Sequence, residues 1–216
     1  RAGCEHHKPM TIELFSDTPV VPVVVIDDAG RAVDLADALF SAGVKAMEIT
    51  LRTDAALAAI KKVSSERPEI CVGAGSIRRT DQIRVVMDTG ARFCVSPGCT
   101  PGIIEEAERR EAALIPGVST ASEVLQLAEY GYYFVKFFPA ELSGGIAMLK
   151  ALTAPMPEVR FFPTGGISAD LARGYLDLDC VPCIGGSWFV PAGKIRESDF
   201  DWIYKQARKV TDDLNG

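Results

Sequence analysis

Apolar runs alternate with amphipathic stretches along this chain at a regular spacing, and that repeat limits its fold more than any other feature. Strand-like runs fall at Val20–Ile26, Lys45–Leu51, Ile70–Gly75, Arg92–Ser96, Ala113–Gly117, Tyr132–Phe138, Arg160–Gly165 and Val181–Gly186. They recur roughly every 20 to 25 residues, the length of a compact strand-plus-helix unit. Between the first two, Ala29–Ala42 places Val33, Ala36, Leu39 and Phe40 on one helical stripe, and Leu57, Ile60 and Val63 repeat the pattern. Pro101–Ala112, Ser119–Tyr130, Gly145–Leu152, Ala169–Leu176 and Phe200–Leu214 continue it. Gly43, Gly90 and Gly131 are placed to close helices in the left-handed conformation. Thr80, Thr120 and Ser168 are N-cap candidates, and Thr120 with Glu123 spells a capping box. The strands are almost continuously apolar, as expected when both faces of a parallel sheet are covered. Eight such units fit an α/β fold of the (β/α)8 TIM-barrel type, with a doubly wound open sheet as the alternative. Residues 11–216 read as a single barrel domain, opened by a short extension helix at Thr11–Phe15 that plugs the barrel's bottom. Residues 1–10 read as a flexible tail or expression remnant.

Composition excludes several functions. The 216 residues carry a net charge of −6, which argues against a nucleic-acid or membrane surface. No apolar run approaches the roughly 20 residues needed to span a bilayer, and the polar start of the chain lacks the apolar segment of a secretory leader. Both histidines, His6 and His7, lie in the first ten residues beside Cys4, where adventitious metal binding is the most they could offer. The body has none, so Ser-His-Asp hydrolysis, Cys-His proteolysis and histidine-ligated metal catalysis are excluded from it. The six cysteines lie mostly in apolar segments of a chain large enough to fold without disulfides, which implies a reducing, cytoplasmic setting. Cys180 and Cys183 form a C-x-x-C, but on a strand positions three apart face opposite sides, so a shared metal or bridge is not expected.

Within Tyr132–Ala140 a single lysine, Lys136, sits among aromatic and apolar residues. Strand alternation places it on one face with Tyr132, Phe134 and Phe138. Two readings fit. Lys136 could snorkel to water or pair with a buried carboxylate; or poor solvation could leave the amine uncharged, a nucleophile toward carbonyls. In Met47–Arg52, alternation turns Glu48, Thr50 and Arg52 to the lumen and Met47, Ile49 and Leu51 to the helices. A carboxylate inside a barrel is costly unless paired, which makes Glu48 and Lys136 candidates for a coupled pair with Glu48 as general acid/base. Phe162–Ser168 and Cys183–Trp188 end the seventh and eighth strands with Gly165, Gly166, Gly185 and Gly186, where backbone N–H groups can approach a phosphate. Gly73-Ala-Gly-Ser begins like a dinucleotide fingerprint but has Arg78 where the third glycine belongs.

Together Glu48–Thr53, Val72–Gly75, Ser96–Gly98, Ile115–Thr120, Val135–Ala140, Phe162–Gly166 and Ile184–Trp188 resemble the 2-keto-3-deoxy-6-phosphogluconate (KDPG) and 4-hydroxy-2-oxoglutarate (KHG) aldolase family, in the family's order, from about Val20 to Pro191. The resemblance implies a homotrimeric class I aldolase with no metal and no organic cofactor. It would cleave KDPG reversibly to pyruvate and glyceraldehyde 3-phosphate, and, like several members, would also cleave 4-hydroxy-2-oxoglutarate to pyruvate and glyoxylate. Lys136 would form the Schiff base and Glu48 would shuttle protons. Arg52, Ser76 and Thr164 would hold the pyruvyl carboxylate, and Pro97 and Phe138 would shape the pocket. Gly165, Gly166, Gly185, Gly186 and Ser187 would surround the phosphate. Ser76 stands where many members carry Thr; the hydroxyl survives. A 2-keto-3-deoxy-6-phosphogalactonate aldolase, another phosphate-binding barrel isomerase or epimerase, and a non-catalytic sugar-phosphate binder are the alternatives.

Overall fold

The computed structural model describes residues 11–15 and 17–215. The expected tail at residues 1–10, with Cys4, His6 and His7, lies outside them. The strands are β1 (Val20–Val24), β2 (Ala46–Thr50), β3 (Cys71–Gly75), β4 (Cys94–Val95), β5 (Leu114–Ile115), β6 (Gly117–Val118), β7 (Phe134–Phe137), β8 (Arg160–Pro163) and β9 (Ile184–Gly186). All pair in parallel. One run is ordered β5-β4-β3-β2-β1-β9 and the other β6-β7-β8.

Two joints close these runs into a barrel. β5 and β6 are halves of the fifth wall strand, interrupted at Pro116, which has no N–H for the ladder. Its carbonyl still accepts from the Lys136 N–H at 2.8 Å. At the other joint Thr164 bridges to Gly185. Because the sheet returns to itself, the open doubly wound alternative is overturned. Nine short segments replace eight longer expected strands for local reasons. Pro116 splits one, and Pro182 delays another until Ile184.

The helices are α1 (Ala32–Ser41), α2 (Ala56–Glu66), α3 (Thr80–Met87), α4 (Pro101–Arg109), α5 (Ala121–Glu129), α6 (Gly145–Thr153), α7 (Ala169–Leu176), α8 (Ala192–Arg196) and α9 (Phe200–Asn215). A 3-10 turn, Ala29–Arg31, precedes α1. The buried stripe of α1 is shifted from the expected one. Ala32, Leu35, Ala36 and Leu39 are buried, Val33 is only partly so and Phe40 is exposed. Gly43, Gly90 and Gly131 adopt positive φ after their helices. Thr120 and Glu123 form the capping box. Thr80 is the first helical residue instead of the cap, which is Arg79, and Ser168 holds its cap position without a side-chain bond. Among the described residues, no helix is long and apolar enough to cross a membrane.

The wall separates two apolar clusters. Outside it, Val20, Val24, Met47, Ile49, Val72, Val135, Phe161 and Ile184 pack against the helices. Inside, Val21, Ala46, Cys71, Phe93, Val95, Ile115, Phe134, Phe162 and Cys183 surround Phe15. Phe15 comes from the 3-10 helix Thr11–Phe15, which plugs the barrel as expected. Its ring lies 5.0 Å from Phe93 and 5.7 Å from Phe162. Above this apolar floor the lumen turns polar. Two residues on along a strand is the same face one layer higher. Ala46 is thus followed by Glu48, Phe134 by Lys136, and Phe162 by Thr164.

Candidate active site

Lys136 projects into the lumen from β7, with Gly117 and Phe162 as its ladder neighbours. Its Nζ lies 3.3 Å from Glu48 Oε1 and 3.4 Å from Oε2. Lys136 is 5% exposed and Glu48 0%. Desolvating such charges costs several kcal/mol per ion, so each keeps its place only with the other opposite. The Phe138 and Phe162 rings stand 5.4 and 5.9 Å from Nζ.

These contacts correct the sequence reading at one residue. Tyr132 precedes β7 and packs in the outer cluster, so it is not part of the ring cage. Phe162, from the adjacent strand, takes its place. A one-strand alternation argument cannot find Phe162, because register between strands is a tertiary fact. The contact between the amine and Glu48 is the one expected from the pairing of lumen-facing charges.

β3 explains how Glu48 fits. Cys71, Gly73 and Gly75 share its lumen face. A Cβ at Gly75 would fall 1.8 Å from Glu48 Oε1, and one at Gly73 would fall 2.3 Å from the Phe93 ring. The Gly-Ala-Gly run is therefore a notch for Glu48 and Phe93, and not a dinucleotide loop.

At the mouth, Arg52 is exposed and its Nε donates to Ser76 Oγ at 3.4 Å. Ser76 has φ 62°, a conformation uncommon for a non-glycine residue. The Thr50 hydroxyl is committed to the Val24 carbonyl at 2.9 Å. Pro97 is half-buried, and its carbonyl lies against Gly117, where a Cβ would come within 2.4 Å. Thr164 is 6% exposed, and its Oγ1 is the one buried side-chain oxygen among the described residues with no hydrogen-bond partner. Such an orphan calls for an explanation.

Gly165 and Gly166 turn the chain after β8 with φ 102° and 82°, values that favour glycine. A Cβ at Gly165 would press on the Phe138 ring at 3.2 Å. Gly185 and Gly186 have packing duties as well. Gly185 leaves room for Thr164 Oγ1 at 2.5 Å, and Gly186 for the Trp188 ring at 2.2 Å. Ser187 is exposed just beyond them.

Cys71, Cys94, Cys180 and Cys183 are buried thiols outside any disulfide. Burial pushes the Cys94 thiol up to about 12 and Cys183 higher still, which makes both inert. Cys183 lies inside the wall and Cys180 outside it. Among the described residues, no cluster of three His, Cys, Asp or Glu is arranged to hold a metal.

A lysine amine and a proton-accepting carboxylate, held dry in the mouth of a parallel barrel, are the equipment of a class I Schiff-base lyase. The chain belongs to the KDPG and KHG aldolase family, whose sequence profile matches residues 12–206. The KHG/KDPG aldolase of Escherichia coli is 45% identical over 199 residues, 92% of this chain and 93% of its own length. A KDPG aldolase from Legionella pneumophila, solved with pyruvate captured at low pH as a covalent carbinolamine, superposes with a TM-score of 0.90 at 40% identity, covering 92% of this chain and 97% of that one. The Zymomonas mobilis ZM4 enzyme with 3-phosphoglycerate gives a TM-score of 0.88 at 40% identity, covering 93% and 95%.

Proposed function

We propose that this chain, with residues 11–216 as one barrel domain, cleaves KDPG reversibly to pyruvate and glyceraldehyde 3-phosphate. The observation that carries the reading is the buried Lys136–Glu48 pair at 3.3 Å. Once its proton has passed to Glu48, Nζ attacks the C2 ketone; Glu48 then gives that proton to the carbinolamine hydroxyl, which leaves as water, and an iminium and a free Glu48 carboxylate remain. The iminium is an electron sink. The C4 hydroxyl proton moves to Glu48 as the C3–C4 bond breaks, its electron pair forms the C2–C3 enamine, and the aldehyde departs. Glu48 then protonates C3, and water releases pyruvate from Lys136. Arg52, Ser76 and Thr164 hold the carboxylate, Arg52 through a guanidinium whose flat fork matches it. The unpartnered Thr164 hydroxyl supports that role. Phe138 and Pro97 wall the pocket, and Gly165, Gly166, Gly185, Gly186 and Ser187 form the phosphate end. Arg52 and the oriented N–H groups give an acidic protein a locally positive pocket.

Borohydride added with pyruvate is expected to inactivate the enzyme and leave the adduct on the peptide containing Lys136. Lys136→Ala should form no adduct. Glu48→Gln should form it yet turn over about 10²- to 10⁴-fold more slowly, the usual span for general acid–base groups. An adduct on another residue would overturn the assignment. Cleavage of 4-hydroxy-2-oxoglutarate is a second reading, favoured by the double name of the Escherichia coli relative. Buried thiols outside any disulfide support a cytoplasmic setting. The family resemblance supports a homotrimer, which sedimentation equilibrium tests through a mass three times that of the chain.

A further inference from the structure

Outside the lysine–glutamate centre, the molecule holds a second carboxylate in a structured setting. Glu141 lies in the loop after β7, five residues beyond Lys136, and accepts a short hydrogen bond on Oε1 from the Tyr175 hydroxyl. Tyr175 is fully buried on α7, the helix that leaves the Gly165–Gly166 turn. Burial and the neighbouring Glu141 hold its phenol well above the usual range, so it remains protonated and a donor.

The Glu141 main chain and stem are pressed against that same turn. Its N–H donates to the Gly165 carbonyl at 3.1 Å, and the Ala140 N–H donates to Thr164 at 2.8 Å. Its Cβ and Cγ fill the space where a side chain at Gly166 would be, at 2.8 and 3.0 Å from the position of an added Cβ. The start of α6 closes on the pair too. A Cβ at Gly145 would meet both Glu141 Oε1 and Tyr175 Oη at 3.2 Å.

We propose that Glu141 and Tyr175 are positioning residues for the phosphate end of the substrate, bracing the Gly165–Gly166 turn between the lysine loop and α7. The inference rests on the phosphate reading of that turn. Two consecutive glycines at positive φ are conformationally permissive, and an anion held by backbone N–H groups needs those groups aimed in advance. The brace supplies the aim from behind. The Tyr175 hydroxyl donates to the carboxylate oxygen and draws off part of a negative charge held close behind the place of a phosphate dianion. A Gln at position 141 keeps an oxygen for Tyr175 and removes that charge, whereas Ala removes the brace.

The test compares KM for KDPG, KM for unphosphorylated 4-hydroxy-2-oxoglutarate, and exchange of pyruvate methyl protons in deuterated water. The last readout reports the Lys136–Glu48 centre without any phosphate. Tyr175→Phe is expected to raise KM for KDPG about tenfold or more, as befits loss of a hydrogen bond to a charged group. The other two readouts should stay within about twofold. Glu141→Gln should match or better the native KM for KDPG, and Glu141→Ala should resemble Tyr175→Phe. Equal change on both substrates, or no change on either, overturns the brace. If Tyr175→Phe does not fold, the contrast between Glu141→Gln and Glu141→Ala decides in the same way. The phosphate reading is checked separately on the native enzyme. Inorganic phosphate should compete with KDPG and leave pyruvate exchange untouched. Failure there removes the phosphate end itself, while success with an indifferent Tyr175→Phe removes only the brace.

Discussion

Thr164 shows how a single side chain separates binding from stability. Its buried hydroxyl has no partner among the described residues, a desolvation cost that the substrate carboxylate would offset on the proposed reading. Thr164→Val should therefore unfold at the same or a higher urea concentration than the native chain, while KM for pyruvate in the exchange reaction rises several-fold. A loss of stability would show that the hydroxyl already has a structural partner. At this scale the sequence was readable where charge met periodicity. Glu48 and Lys136 stand out because each is charged at a lumen-facing position of an apolar strand. Phe162 and the Glu141–Tyr175 pair were hidden for one physical reason. Phe162 meets Lys136 through parallel-strand register, and Tyr175 meets Glu141 from another helix, so neither contact leaves a local pattern.

Elements were legible where local chemistry decides them. The Thr120–Glu123 capping box formed as spelled, with the Glu123 carboxylate accepting from the Ser119 and Thr120 N–H groups at 2.7 and 2.8 Å. Burial pushes this carboxyl up, but those bonds outweigh it and hold it below its ordinary 4.5. A depressed carboxyl stabilises the fold above its unfolded value and loses that effect as pH falls through the folded value. Glu123→Gln should consequently cost about 1 kcal/mol at pH 7 by urea unfolding, on the scale of a lost cap. The gap to the native chain should close below about pH 4. A gap that persists unchanged into acid would show that the charged bonds are not its source. Where elements departed from expectation, backbone chemistry intervened. Pro116 removed a ladder donor and Pro182 delayed a strand.

At the scale of the molecule, closure followed from the repeat, because eight strand–helix units leave a parallel sheet no better way to remove its edges. The plug was legible as a short apolar segment before the first strand, but its partners were not. Phe15 stacks at 5.7 Å on Phe162, whose neighbour two residues on is Thr164. Phe15→Ala should lower stability by about 3–5 kcal/mol, as for other buried aromatic truncations. Denaturant unfolding measures this, and a change under about 1 kcal/mol would mean that the floor collapses to fill the void. The barrel also holds a contradiction in its design. Its upper layer has opposed charges where oily side chains of matching volume would pack more firmly, in comparable proteins by about 1–4 kcal/mol. Natural variants selected only for endurance would drift toward such an inert interior. That the acid and the amine remain sealed face to face marks this barrel as one kept for reactivity at the expense of toughness.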